Sequence, residues 1–405
     1  MKTLVNNITC AGILSISILG AGAAPARAQI PPISATPIGR GVQEVKAESK
    51  PSPSMAADGM AEQETRRLRG FTVDKMDPAN LESMKRDWNA NSVRVMLRPF
   101  LASRQLGSKT YEDGWKQLLK EMPAYLDKAK ELGIGVIFDL HEVPNDNQKT
   151  YGSDRKKQKS EFWQDRSNLE VAIQCWKQVA ELCKGRKQVI WYDILNEPLD
   201  WADFPKHVKV WPEWAQAMID EIRKTDPKTP VVVEVGPGGL CWGFKDFPVL
   251  KGANIIYSTH QYQPHQYTHQ GISGLNNTDL AKAYLAMQQK WPGQFSDTGG
   301  GMWDKDRLYK ELASMIEFQK KNNVRIYISE FGVVRWSPGS ADYVRDNLDI
   351  FEEFGWDWTF HAYKENPIWD PEYEPVFGQN IKVKETTPVG TVLKSYFKKN
   401  SFGDK

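Results

Sequence analysis

The chain has 405 residues, 40% of them hydrophobic, with 53 basic and 51 acidic side chains and a formal net charge of +2. That length suits one large domain or two small ones. The near-balance of charge, without a long basic run, argues against nucleic acid as a partner. Tryptophan occurs 15 times; indole is costly to bury unless its N–H is paired, so the surplus points to a ligand surface as well as a core.

In chain order, the first segment reads as a signal peptide spanning residues 1–28. Lys2 supplies a short positive region, an apolar stretch runs roughly from Ile8 to Ala24, and Ala26-Arg27-Ala28 forms a small-residue cleavage site. The stretch is too short and too rich in Gly, Ser and Ala for a convincing membrane span, the alternative being an uncleaved anchor. The mature chain is therefore expected to be secreted or periplasmic, with no integral span. Residues 29–65 are rich in Pro, Ala and Ser, lack apolar periodicity and read as a linker or disordered segment. One folded domain is expected over 66–400. Export would permit disulfides. Cys10 leaves with the signal, and Cys175, Cys183 and Cys241 remain. A pair involving Cys241 and a set of buried free thiols are both open.

Short apolar runs then alternate with helical patterns. Strands are predicted at Arg69–Val73, Ser92–Leu97, Gly135–Leu140, Val189–Leu195, Pro230–Val235, Ile255–His260, Arg325–Ser329 and Asp357–Ala362. Helices are predicted near Ala79–Ala90, Gly114–Leu132, Phe162–Leu182, Trp211–Lys224, Asp306–Lys321, Ala341–Phe354 and Val389–Phe397. The link after the fifth strand is irregular. An insertion from about Gln263 to Gly301 carries its own short helix near Leu280–Gln289. Eight strand–helix units over this length imply an α/β chain folded as a (β/α)₈ TIM barrel. A doubly wound sheet is the runner-up, but no glycine-rich phosphate loop follows the first strand. Gly236-Pro237-Gly238-Gly239 lacks the phosphate-loop lysine and reads as a turn.

Polar residues close several apolar strands: Asp139-Leu140-His141 the third, Asn196-Glu197-Pro198 the fourth, His260-Gln261-Tyr262 the sixth and Glu330-Phe331-Gly332 the seventh. In a barrel these carboxyl-terminal ends converge on the face that holds active sites. One carboxylate there could partner an arginine. Two, with an amide, two imidazoles and a phenol, are a costly set unless they work together. Cleaving a glycosidic bond needs one group to protonate the leaving oxygen and another to attack the anomeric carbon or activate water. Glu197 and Glu330 are the two glutamates that directly end long apolar strands. Glu142, one past His141, is expected to point away, and Glu234 inside the fifth strand to make a structural ion pair.

At these residues the sequence resembles family 5 glycoside hydrolases, a cellulase-like family with glutamates at the ends of strands four and seven. The resemblance runs from about Leu68 to Tyr396 and also takes in Leu68-Arg69-Gly70 and Asn91-Ser92-Val93-Arg94. It implies Glu197 as acid/base and Glu330 as nucleophile of a retaining double displacement, with carboxyls about 5–5.5 Å apart. It further implies that Arg94 points inward and keeps Glu330 ionised, and that Tyr262 donates to Glu330. Asn196 would bind the sugar 2-hydroxyl, while His141 and His260 would line the cleft. The family's tryptophan floor at the end of strand eight is missing: His361 stands near that place, leaving Trp369 or Trp336 to supply the stacking face.

Other signals carry less. His260, His265 and His269 lack zinc-type spacing, so neither metal nor cofactor is expected. Arg155-Lys156-Lys157-Gln158-Lys159 reads as a solvated loop that could touch an acidic substrate. The reading is thus a retaining hydrolase of a β-linked glucan, of the cellulase or endoglucanase type. The alternatives are a β-mannanase or another β-glucoside or β-glucan hydrolase, and more remotely a non-catalytic carbohydrate-binding barrel, which would be expected to lack a carboxylate. The expected partner is a poly- or oligosaccharide, and the expected state a monomer.

Overall fold

The computed structural model describes residues 66–108, 110–144, 161–296 and 299–402. The signal segment, the linker and the lysine-rich 155–159 stretch lie outside the described residues. Eight parallel strands close into a barrel: β1 (Arg69–Val73), β2 (Ser92–Leu97), β3 (Gly135–Leu140), β4 (Val189–Asp193), β5 (Val231–Glu234), β6 (Ile255–Gln261), β9 (Arg325–Phe331) and β10 (Asp357–Phe360). β10 returns to pair with β1, so the sheet has no edge and the doubly wound alternative is excluded.

The helices that separate these strands carry local start and stop signals. In α3 (Tyr111–Leu132), the Thr110 hydroxyl accepts from the Asp113 amide, acidic Glu112 and Asp113 sit in the first turn, and Gly133 ends the helix with a left-handed φ of 68°. The predicted 306–321 helix is broken at Leu312 into α9 (Lys305–Glu311) and α10 (Ala313–Asn322). After β5 a single 3₁₀ turn, Cys241–Lys245, replaces a helix, matching the irregular link read there. The insertion holds α8 (Thr278–Ala286) and an antiparallel hairpin of β7 (Gly293–Phe295) and β8 (Gly301–Trp303). That hairpin was not predicted, because three-residue strands leave no alternation to read. Cys175, Cys183 and Cys241 are free and buried.

The strands are buried on both faces, as expected for near-continuous apolar runs in a parallel sheet. Outward residues such as Val93, Val95, Phe138 and Phe331 pack with the helices. Inside the barrel, Leu68, Ile137, Ile190, Trp191, Val232, Ile256 and Tyr327 form a separate apolar layer. Two residues farther along, the same inward register carries Asp139, Asp193, Glu234, Ser258 and Ser329, all fully buried. A polar layer therefore rests on an apolar plug, directly beneath the mouth where the strands end.

Candidate active site

Strict alternation from the inward Tyr327 and Ser329 would turn Glu330 outward, toward the helices. A bulge prevents this. Against β6 the register jumps from Thr259↔Ile328 to His260↔Glu330, and against β10 from Trp358↔Ile328 to Phe360↔Phe331. The extra residue in β9 lets Ser329 and Glu330 both face the barrel while Phe331 returns to the outer core. Across the mouth, Glu197 adopts a left-handed φ of 43°. Few non-glycine residues accept that conformation. Here it lets consecutive Asn196 and Glu197 both turn toward the interior, where each finds a partner.

Arg94 points inward from β2 and is fully buried. Its Nη1 donates to Glu330 Oε1 at 2.7 Å and its Nε to Asp193 Oδ2 at 2.8 Å. Its Nη2 lies 3.1 Å from both Asn196 Oδ1 and Asp139 Oδ2. Burial works against its charge, but Asp139, Asp193 and Glu330 outweigh that and hold the guanidinium protonated. The return on Glu330 is large. Burial alone would raise its carboxyl, yet His260, His361 and Arg94 hold it well below the usual carboxylate range. Asp139 and Asp193 share the same guanidinium less favourably, and burial pushes each up to about 7.

Glu197 is the more open of the two glutamates, its side chain 21% exposed against 7% for Glu330. Burial raises its carboxyl above the ordinary range despite the opposing pull of His260. His260 Nδ1 lies 2.9 Å from Glu197 Oε1 and 3.8 Å from Glu330 Oε2, while its Nε2 lies 3.2 Å from Glu234 Oε2. The two Nδ1 distances cap the separation of those carboxylate oxygens at about 6.7 Å. Two glutamates thus face one cleft with their acidities driven apart, the arrangement that lets one act as acid while the other stays ionised.

The remaining predicted residues are unequally placed. Tyr262 donates its hydroxyl to Glu330 Oε2 at 2.9 Å. His141 Nδ1 meets Asp139 Oδ2 at 2.7 Å, and burial lowers the ring to about 3, leaving it neutral. His361 Nδ1 lies 3.6 Å from Glu330 Oε2, and its Nε2 lies 3.2 Å from Glu365. Trp369 packs beside Tyr262 and His361, with ring centres 6.1 and 5.7 Å away. Trp336 instead anchors a loop: its indole N–H donates to the Gln270 carbonyl and its ring packs edge-on against Phe377. His265 and His269 lie ring on ring, 3.7 Å apart. Glu142 turns from the cleft and accepts from the Phe100 and Leu101 amides at the start of α2 (Pro99–Gln105).

Sequence reasoning passed over one acidic residue of this site and gave another a purely structural role. Asp193 lies four residues before Glu197, in register with inward Trp191, so alternation along β4 could have found it. Glu234 was read as a structural ion-pair partner, but its counterpart is the histidine that holds Glu197.

The family model described as cellulase (glycosyl hydrolase family 5) matches residues 57–367. Endoglucanase 3 of Fibrobacter succinogenes is 23% identical over 274 residues; the match covers 60% of this chain and 39% of that protein. Endoglucanase C of Acetivibrio thermocellus is 21% identical over 305 residues, covering 70% of this chain and 83% of that one. Thermotoga maritima Cel5A, solved with cellobiose and with mannotriose, superimposes with a TM-score of 0.58 at 19% and 18% identity, over 82% of this chain and 99% of that one.

Proposed function

Because this chain belongs to glycosyl hydrolase family 5, we propose that it cleaves a β-linked glucan in the manner of an endoglucanase, by double displacement, with Glu330 as nucleophile and Glu197 as acid/base. The observation that carries this reading is the single imidazole nitrogen that reaches both carboxylates and keeps their oxygens within about 6.7 Å. A retaining pair at about 5–5.5 Å fits under that ceiling, and most of the roughly 6.5–9.5 Å range of inverting pairs, which must admit a water, lies above it.

In the first step Glu330 attacks the anomeric carbon as the Glu197 proton passes to the departing oxygen, leaving a glycosyl ester on Glu330. In the second, the Glu197 carboxylate takes a proton from water; that water attacks the same carbon and frees Glu330. Arg94 and Tyr262 hold the attacking carboxylate ionised and oriented. Asn196, whose amide oxygen accepts from Arg94, is assigned the contact to the sugar 2-hydroxyl. Trp369 is the better candidate for a stacking face, since it packs beside Tyr262 and His361 whereas Trp336 packs against Phe377. A β-mannanase is the second reading, left open because a histidine, His361, stands beside Glu330 where the family's tryptophan floor is expected.

The apolar leader supports export to the periplasm or the medium, with residues 66–400 working as one monomeric domain after the linker. No helix among the described residues is long and apolar enough to cross a membrane. Hydrolysis of β-glucans, mannan and xylan, assayed beside the Glu197→Ala and Glu330→Ala variants, tests the reading. Turnover should be highest on a glucan and should fall by orders of magnitude in both variants. Undiminished turnover in either one would refute the assignment.

A further inference from the structure

Glu234 is fully buried, and among the described residues neither of its carboxylate oxygens makes an aligned hydrogen bond. Such a group is expensive to keep. Its near charged contact is His260 Nε2 at 3.2 Å, on the far side of the ring from Glu197. The backbone is shaped around this contact. Gly239, at a φ of +72°, passes so close that a Cβ there would lie 2.2 Å from Glu234 Oε1. The Gly239 carbonyl in turn accepts the His260 amide at 2.8 Å, clamping the histidine where Glu234 can reach it.

We propose that Glu234 is a positioning residue which, across the His260 ring, keeps Nδ1 protonated and so holds the exchangeable proton of Glu197 on Oε2, the oxygen free to meet the glycosidic bond. The proposal rests on Glu197 being the acid/base. An imidazole between two carboxylates can hand its Nδ1 proton to Glu197 or keep it. Glu234 on one side and Glu330 at 3.8 Å on the other favour the cation and keep the proton on nitrogen. Oε1 of Glu197 then only accepts, and the acidic proton must sit on Oε2. The other charged and titratable groups around this unit are Asp193 from β4, Asp139 from β3, Arg94 from β2 and Tyr262 after β6. Arg94 is spent on Asp139, Asp193 and Glu330, so among the described residues His260 is the cation left for Glu234.

The test is the pH dependence of kcat/KM on an oligosaccharide for the wild type, Glu234→Gln and Glu234→Asp. Glutamine keeps the size and removes the charge. His260 then loses its extra proton, the Glu197 anion loses its neighbouring cation, and the alkaline limb moves up by at least about half a pH unit. Aspartate keeps the charge and should restore the limb. A wild-type limb in Glu234→Gln would overturn the relay. An independent readout needs no variant of Glu234: in ¹⁵N-histidine NMR of the wild type, with the signal assigned by its loss in His260→Asn, both Nδ1 and Nε2 of His260 should carry protons throughout the active pH range. A bare nitrogen at either position would also overturn it. Inactive Glu197→Ala and Glu330→Ala variants beside an unshifted Glu234→Gln limb would sink the relay alone. Active ones would sink the reading beneath it.

Discussion

Replacing Arg94 with methionine should expose the electrostatics on which the site is built. The substitution preserves much of the volume but removes the one guanidinium that faces Asp139, Asp193, Glu330 and Asn196. Stripping one partner from a buried ion cluster costs about 3–5 kcal/mol. In a domain this large that corresponds to a melting temperature lower by roughly 4–7 °C. The loss should depend on pH in a defined direction. Asp139 and Asp193 titrate near 7 even with Arg94 present. Without that cation both are held higher still, so at pH 8 the variant must take up protons to fold or else bury uncompensated anions, whereas at pH 5 both are neutral in either protein and Glu330 is the ionised partner left. Scanning calorimetry of both proteins should therefore show less than half the pH 8 deficit at pH 5. Activity should fall at least about a hundredfold, with the acid limb moving up as Glu330 loses the cation that keeps it ionised. Equal melting deficits at the two pH values, or an unmoved acid limb, would refute the reasoning.

Tyr262→Phe removes one hydrogen bond to Glu330 Oε2 and little packing. It should lower kcat on oligosaccharides by about ten- to a hundredfold with a stability cost near 1 kcal/mol; unchanged kcat in steady-state assays would contradict this. The wild type should melt higher at pH 5.5 than at pH 8.5. Asp139 and Asp193 rise from 3.8 unfolded to about 7 folded, and the folded value of His260 is also raised. These contributions are complete below the unfolded values and are lost as pH climbs through the folded ones, while Glu330, whose folded value is depressed, loses its contribution only as pH falls well below 4.5. A melting temperature that rises with pH over this range would contradict the assignment. Finally, Cys175, Cys183 and Cys241 are buried, with the first two thiols pushed up to about 12. A thiol reagent should find none in the native enzyme and three after unfolding; a fourth would be Cys10 and would mean that the leader had been retained.

Much of the architecture was legible because β-branched runs and helical periodicity survive in a single sequence. The eight barrel strands fall within a residue or two of where the apolar runs lie, and Arg94 faces inward by the alternation that turns Val93 and Val95 outward. What the sequence hid is mainly backbone irregularity. Nothing in Ser329-Glu330-Phe331 announces a bulge, yet without it the alternation assigns Glu330 to the wrong face. The left-handed turn at Glu197 is equally silent. Both platform candidates drew notice as tryptophans near a strand end, but residue type could not tell the one beside Tyr262 from the one bound to Gln270. Glu234 was visible as an acidic residue in an apolar strand, while its link through His260 to Glu197 depends on how two neighbouring strands align.

The central claim is that Glu330 becomes covalently glycosylated with Glu197 as its acid/base. In a 2-deoxy-2-fluoro glucoside with a good leaving group, the fluorine destabilises the oxocarbenium-like transition states of both steps, and the good leaving group restores only formation, so the glycosyl ester accumulates. Incubating the enzyme with this reagent, digesting it and locating the added sugar by mass spectrometry tests the claim directly. The label should appear on the peptide that carries Glu330, and Glu330→Gln should abolish it. A label on any other residue, or release of a product of inverted anomeric configuration from an ordinary substrate, would contradict it.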